Sequence, residues 1–204
     1  MKLIKIFALA LVLWGCTTEP TFSQQLRESV IVQTDIFKVE YSETLEQPLW
    51  VEYKVLCPNG DADRGGMDFY TVDDVHTSDN GDYSNNEWDK GHMAPAADFV
   101  ESRDKLYKTF SYLNSALQHK SLNRGEWKSL ETFERKLWDE KGKVEVEIEI
   151  IFEPLPFRVE AGAAIPTAFK KHLVYKDGAL CFFFPNIVPE HDGFKHYKID
   201  CSKH

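Results

Sequence analysis

The stretch Glu87–Phe99, EWDKGHMAPAADF, holds the densest chemistry in the chain. Asp89, Lys90 and His92 crowd around Gly91, and Pro95 and several alanines follow. Small neighbours leave room beside the imidazole, and proline stiffens the backbone that aims it. The segment reads as a loop. An accessible imidazole is partly neutral at pH 7 and can take a proton from water, so His92 is a candidate general base. Single histidines are more often surface or hydrogen-bonded structural residues. Partners for it must come from elsewhere in the chain.

Length and composition set the frame. At 204 residues, 43% hydrophobic and 28% charged, the chain suits one globular domain with a real core. A net charge of −9 repels polyanions. That counts against a passive nucleic-acid-binding module. It counts less against a metal-dependent nuclease, where a bound cation supplies local positive charge.

Residues 1–15 read as a signal peptide, with Lys2 and Lys5 ahead of the apolar run IFALALVLW. LWGC at 13–16 resembles a bacterial lipoprotein signal, making Cys16 a lipidation candidate, although Trp14 stands where a smaller residue is usual. The expected organisation is a leader over 1–15, a polar tether over 16–28 and one domain over 29–204. The protein is expected to be exported, as a periplasmic, outer-membrane or cell-surface lipoprotein of a bacterium. Loss of Lys2 and Lys5 shifts the formal charge from −9 to −11. Cys57, Cys181 and Cys201 then remain, an odd number for an oxidising compartment. Cys181–Cys201 is the favoured pairing because it would tie down the C-terminal tail; the spacing alone does not fix it.

SVIVQTDIFKVEY and LWVEYKVL predict strands, and MDFYTV a further short one. Residues 73–91 form a long polar loop with Asn80-Gly81 as a turn. A helix is expected over DFVESRDKLYKTF, capped by Asp98 with Glu101 in the capping-box position. From Asn123, the spacing of Trp127, Leu130, Phe133, Leu137 and Trp138 predicts a helix closed by Gly142. KVEVEIEIIF alternates strictly, and HLVYKDGALCFFFPN reads as a hairpin turning at Asp177-Gly178.

Asn123, Trp127 and Glu131 are spaced four apart, so a helix aligns them along one side. An N-cap explains Asn123 alone, but not Asn123 with Glu131 further along the same face. Together with His92, these residues carry a resemblance. DKGHMAPAADF is similar to the DRGHMAPAAD signature of the sugar-nonspecific DNA/RNA endonucleases of the ββα-metal fold. The segment from Asn114 to Glu131, with LNRGEW and LE in register, resembles that family's second motif; IPTAFKKHLVY and CFFFPN resemble its later strands. The resemblance spans roughly residues 48 to 190.

It implies an α+β, ββα-metal (His-Me finger) fold, with a central antiparallel sheet flanked by helices. It also implies a Mg²⁺-dependent endonuclease, Mn²⁺ substituting, that hydrolyses phosphodiesters of DNA and RNA to 5′-phosphate products. His92 would activate water and Asn123 would be the direct metal ligand, in keeping with magnesium's habit of keeping most of its waters. Glu131 would hold metal-bound water, Asn114 would position the phosphate or the histidine region, and Arg64 would grip phosphate. Lys90 stands where the family has arginine, keeping the charge but losing the bidentate fork. Chemistry confined to phosphate and metal needs no base reading, so little sequence preference is expected. DNA and RNA are the expected partners, with the membrane reached through the lipid anchor and no protein partner.

A catalytically weakened, nucleic-acid- or protein-binding surface lipoprotein is the alternative, supported by Lys90 and the acidic charge. Residues 76–87 match a calcium loop only in part, since His76 and Ser78 stand where acidic ligands belong. His191, His196, Cys201 and His204 are metal-capable residues at spacings unlike standard zinc fingers.

Overall fold

The computed structural model describes residues 27–56 and 60–203. The leader, Cys16, Cys57 and His204 lie outside the described residues.

The alternation in KVEVEIEI becomes the central strand of an antiparallel sheet. On β6 (Val144–Ile151) the odd-and-even division is clean: Val144, Val146, Ile148 and Ile150 are buried, and the glutamates between them face outward. Its neighbours are β3 (Gln47–Lys54) and β7 (Ala168–Tyr175). Outside them lie β2 (Phe37–Ser42) and β1 (Val30–Gln33) on one side, and β8 (Gly178–Pro185) and β9 (Lys198–Ile199) on the other. The order is β1-β2-β3-β6-β7-β8-β9, antiparallel throughout.

One face of this sheet is covered by a ββα unit. β4 (Trp88–His92) and β5 (Ser115–His119) form a separate antiparallel pair with His92 opposite Ser115 and Asp89 opposite Gln118. The chain then runs directly into α2 (Lys120–Leu122), a wider π turn (Asn123–Trp127) and α3 (Lys128–Lys141). α3 stops where Gly142 takes φ +85° and donates its N–H to the Trp138 carbonyl at 2.7 Å. The apolar stripe faces the sheet. Trp127 and Leu130 are wholly buried, and the indole meets the Phe169 and Phe184 rings at 5.4 and 5.7 Å. Burial of such side chains contributes about 1.5–3 kcal/mol each. Asn186 joins β5 to the main sheet: its amide donates to the Leu117 and Pro166 carbonyls and accepts from the His119 N–H.

Several elements depart from the sequence expectations. Trp88–His92 is a strand rather than a loop. It is short and contains glycine, and only its pairing with SALQH makes it one. Gly91 is required by that pairing: a Cβ there would lie 2.6 Å from Gln118 Cβ. SVIVQTDIFKVEY folds back on itself as β1 and β2. MDFYTV contributes only a bridge from Tyr70 to Ser111. Helix α1 starts later than expected, at Arg103–Lys108, because Ser102 caps it while the Asp98 carboxylate is bonded to Arg135. The β7–β8 turn occupies Lys176 and Asp177, and Gly178 opens β8.

Candidate active site

His92 ends β4 against an aromatic wall. Its ring lies 4.8 Å from the Phe69 ring and 5.0 Å from that of Phe110, edge to face with the latter. Neither ring nitrogen has a hydrogen-bond partner among the described residues, and Nε2 is shielded from solvent. Burial, with the positive charge of Arg64 adding to it, pushes the imidazole pKa down to about 3. The ring is therefore neutral across the ordinary pH range and holds a free lone pair.

Two cations share this side. The Arg64 guanidinium is exposed and sits 5.1 Å from the Phe110 ring, one ring away from His92. Lys90 lies over the Phe69 and Tyr112 rings at 5.2 and 5.4 Å. Its ammonium is bonded to Asn80 Oδ1 and, at 3.3 Å, to Asp68.

Asn123 stands at the first position of the π turn, half-buried. Its Nδ2 donates to Asp89 Oδ2 at 2.9 Å, and its Oδ1 has no hydrogen-bond partner among the described residues. Asp89 also takes a two-pronged grip from Arg124, with both contacts at 2.7 Å. Burial works to raise the Asp89 pKa, but the bonds from Arg124 and Asn123 prevail and hold it below the usual carboxylate value. One turn on, Trp127 Nε1 reaches the His92 carbonyl at 3.4 Å. Asn123 and Trp127, four apart on the helix, are thus bonded to Asp89 and His92, three apart on the strand. π turns are rare and recur at functional sites.

Glu131 is a further turn along, on α3. Residues four apart share one side of a helix, so Glu131 follows Asn123 and Trp127 along that side. It accepts no hydrogen bond from the described residues. Burial raises its pKa to about 8; Lys171 opposes the rise, and Glu134 and Asp98 add to it. Behind it, Lys171 is wholly buried, paired with Glu134 at 2.7 Å and held 4.5 Å over the Trp127 ring. Glu134 also accepts from Tyr53 at 2.7 Å. Asp98, paired with Arg135 at 3.0 Å, is pushed up to about 7 by burial and by Glu134.

Asn114 is buried and saturated. Its Oδ1 accepts from Ala94 N–H at 2.8 Å, and its Nδ2 donates to the Ala94 and Thr109 carbonyls at 2.9 Å. It fastens the backbone just after His92 and has no polar atom left for a phosphate. Gln118, opposite Asp89, is wholly buried, and neither amide atom has a hydrogen-bond partner among the described residues.

The donor set suits a hard cation of the magnesium class. Asn123 Oδ1 and the Glu131 carboxyl group, neither hydrogen-bonded among the described residues, are oxygen donors of the kind such a cation takes. Among the described residues the other candidate centres do not assemble. In the 76–87 segment Asp82 Oδ1 is taken by Ala163 N–H, Asp82 Oδ2 by Asp79 N–H and Asp79 Oδ1 by Gly81 N–H. Cys201 is bonded to Cys181 rather than grouped with His191 and His196.

The model of the DNA/RNA non-specific endonuclease family matches residues 16–201. The chain belongs to that family. Among relatives of this endonuclease domain, the mitochondrial nuclease EXOG of Danio rerio is 33% identical over 104 residues, covering 48% of this chain and 30% of its own. Mitochondrial endonuclease G of Homo sapiens is 38% identical over 81 residues, 38% of this chain and 27% of its own. The matched stretch is thus under a third of the length of these relatives. A crystal structure of an EndoG/EndoGI complex, described as revealing the mechanism of EndoG inhibition, superposes with a TM-score of 0.73 at 23% identity. It covers 84% of this chain and 80% of its own, so the endonuclease domain here has that fold.

Sequence reasoning passed over the role of Asp89, which stood in the quoted motif without a partner in view. It also missed Arg124 and the Lys171–Glu134 pair. Nothing in the spacing of those residues joins them; the hairpin and sheet bring them together.

Proposed function

We propose that this endonuclease-family chain hydrolyses phosphodiester bonds of both DNA and RNA with a divalent cation, Mg²⁺ above others, leaving 5′-phosphate ends. The observation that carries the reading is the neutral, unpartnered His92 on a strand bonded to the helix that presents Asn123. His92 accepts the proton of an attacking water. Asn123 would hold the cation through Oδ1, with Glu131 oriented toward its water shell. The bound ion would supply Lewis-acid stabilisation of charge on the phosphate and the departing oxygen. Arg64 provides an exposed cation beside the base for the phosphate, and Asn114 positions the backbone that aims His92. Lys90, engaged with Asp68 and Asn80, braces the loop at the His92 wall more than it grips substrate.

Supercoiled plasmid and a structured RNA, each incubated with the purified protein in Mg²⁺ or EDTA, test this. The reading requires degradation of both in Mg²⁺, none in EDTA, and loss in His92→Ala. Intact substrates with a retained gel shift would favour a binding module instead. We further propose export with an anchor at Cys16. Labelled palmitate should enter the wild-type chain and not Cys16→Ser; equal labelling refutes the anchor.

A further inference from the structure

The sheet face turned away from α3 carries a second cluster, independent of the nuclease reading. Strand register sets Glu147, His172 and Cys181 side by side on β6, β7 and β8, and Cys201, just past β9, is bonded to Cys181. One ligating atom from each of His172, Cys181 and Cys201 lies within 4.8 Å of the others. Glu147 Oε2 is 3.6 Å from His172 Nδ1, the carboxylate–imidazole arrangement that orients metal-bound histidines. His172 Nε2 is buried and has no hydrogen-bond partner among the described residues. A groove of about 690 Å³, walled by Trp50 and Leu49, opens above these groups.

One imidazole nitrogen and two sulfurs form a donor set for zinc, which takes tetrahedral N and S ligands and admits water at a fourth position. Hard cations of the magnesium class prefer oxygen. We propose that His172, Cys181 and Cys201 bind one zinc-class ion when the Cys181–Cys201 disulfide is reduced, so the same cysteines alternate between a covalent bond and a metal site. Two equivalents of a small thiol reductant supply the two electrons, leaving two cysteine thiols and one external disulfide. Binding then releases both thiol protons to solvent, His172 contributes a neutral nitrogen, and water fills the fourth position. Tetrahedral Zn–S bonds of 2.3 Å hold two sulfurs about 3.8 Å apart. Cys201 heads a short terminal turn and is only half-buried, so the separation requires movement of that turn and not of the sheet. In either state the C-terminal segment stays fastened to β8.

The test uses the purified full chain, reduced with a water-soluble phosphine that is removed anaerobically before metal is added, then titrated with Co²⁺ as the spectroscopic probe. The expected result is one equivalent bound with a thiolate-to-cobalt charge-transfer band, displaced by one equivalent of Zn²⁺ and missing from the oxidised chain. Oxygen ligands at the Asn123 site give no such band. Cys57→Ala should retain the band, and His172→Ala, which keeps both thiols, should bind at least tenfold more weakly. Circular dichroism tracks folding in each sample. The proposal is overturned by a folded, reduced chain without the band, by unchanged binding in His172→Ala, or by unfolding on reduction alone.

Discussion

Asn123 Nδ2 donates to Asp89 Oδ2 at 2.9 Å, across 34 residues of sequence. The bond fixes which way the amide faces: nitrogen toward the strand, oxygen away from it. With the Trp127–His92 contact one turn later, the helix and β4 share two rungs. The candidate metal ligand and the candidate base are therefore referenced to one frame, although neither touches the other in sequence.

Asp89→Ala frees Asn123 and Arg124 together. Groups that orient a metal ligand typically contribute 10–100-fold in affinity. The Mg²⁺ concentration for half-maximal cleavage should rise by about that factor, with a smaller change in the rate at saturating metal. An unchanged Mg²⁺ titration would contradict the orienting role.

His92→Ala should slow cleavage by about 10²–10⁴-fold, the usual contribution of a positioned proton acceptor. The imidazole protonates near 6.5 when unfolded and near 3 when folded. Its contribution to stability is thus complete above pH 6.5 and is lost as pH falls toward 3. Thermal melts of wild type and variant should converge as pH drops through that window. The cleavage rate should show no loss between pH 8 and 6 from His92 protonation.

Glu131→Gln tests the opposite sign. A carboxyl group with a folded pKa near 8 contributes stability that is complete below about 4.5 and lost as pH rises through 8. In metal-free buffer at pH 8 the variant should melt on the order of a few degrees above wild type. The gap should close near pH 4.5, and cleavage should weaken at every pH. A lower Tm at pH 8 would contradict the burial-driven shift.

Lys171→Met leaves the Glu134 carboxyl group buried without its ion-pair partner. Removing one partner of such a pair costs about 3–5 kcal/mol. Lys171→Met combined with Glu134→Leu should recover much of that loss in urea denaturation. Simple additivity of the two changes would show that the pair is not coupled.

How far the sequence foretold this arrangement depended on the range of the interactions. The alternation in β6, the apolar stripe from Trp127 to Trp138 and the glycine stop at Gly142 are local patterns, and each became the expected element. The two quoted motifs both fall on the segments that the structure folds as the ββα unit, although the first was read as a loop. Trp88–His92 could not be read as a strand because its own composition does not favour one; β5, reached only after 22 intervening residues, makes it so. Asp98 looked like a helix cap for want of sight of Arg135, 37 positions away. Asp89, Gln118 and the Lys171–Glu134 pair likewise acquire meaning only through contacts between distant segments.

The most direct measurement is a crystal structure of His92→Ala bound to a short DNA duplex with Mg²⁺, in which cleavage is arrested. The expected result is one cation on Asn123 Oδ1 and a phosphodiester between that ion and the space vacated by the imidazole, beside Phe69 and Phe110. A cation bound away from Asn123, or a phosphate that contacts the ion but lies remote from the His92 position, would contradict it.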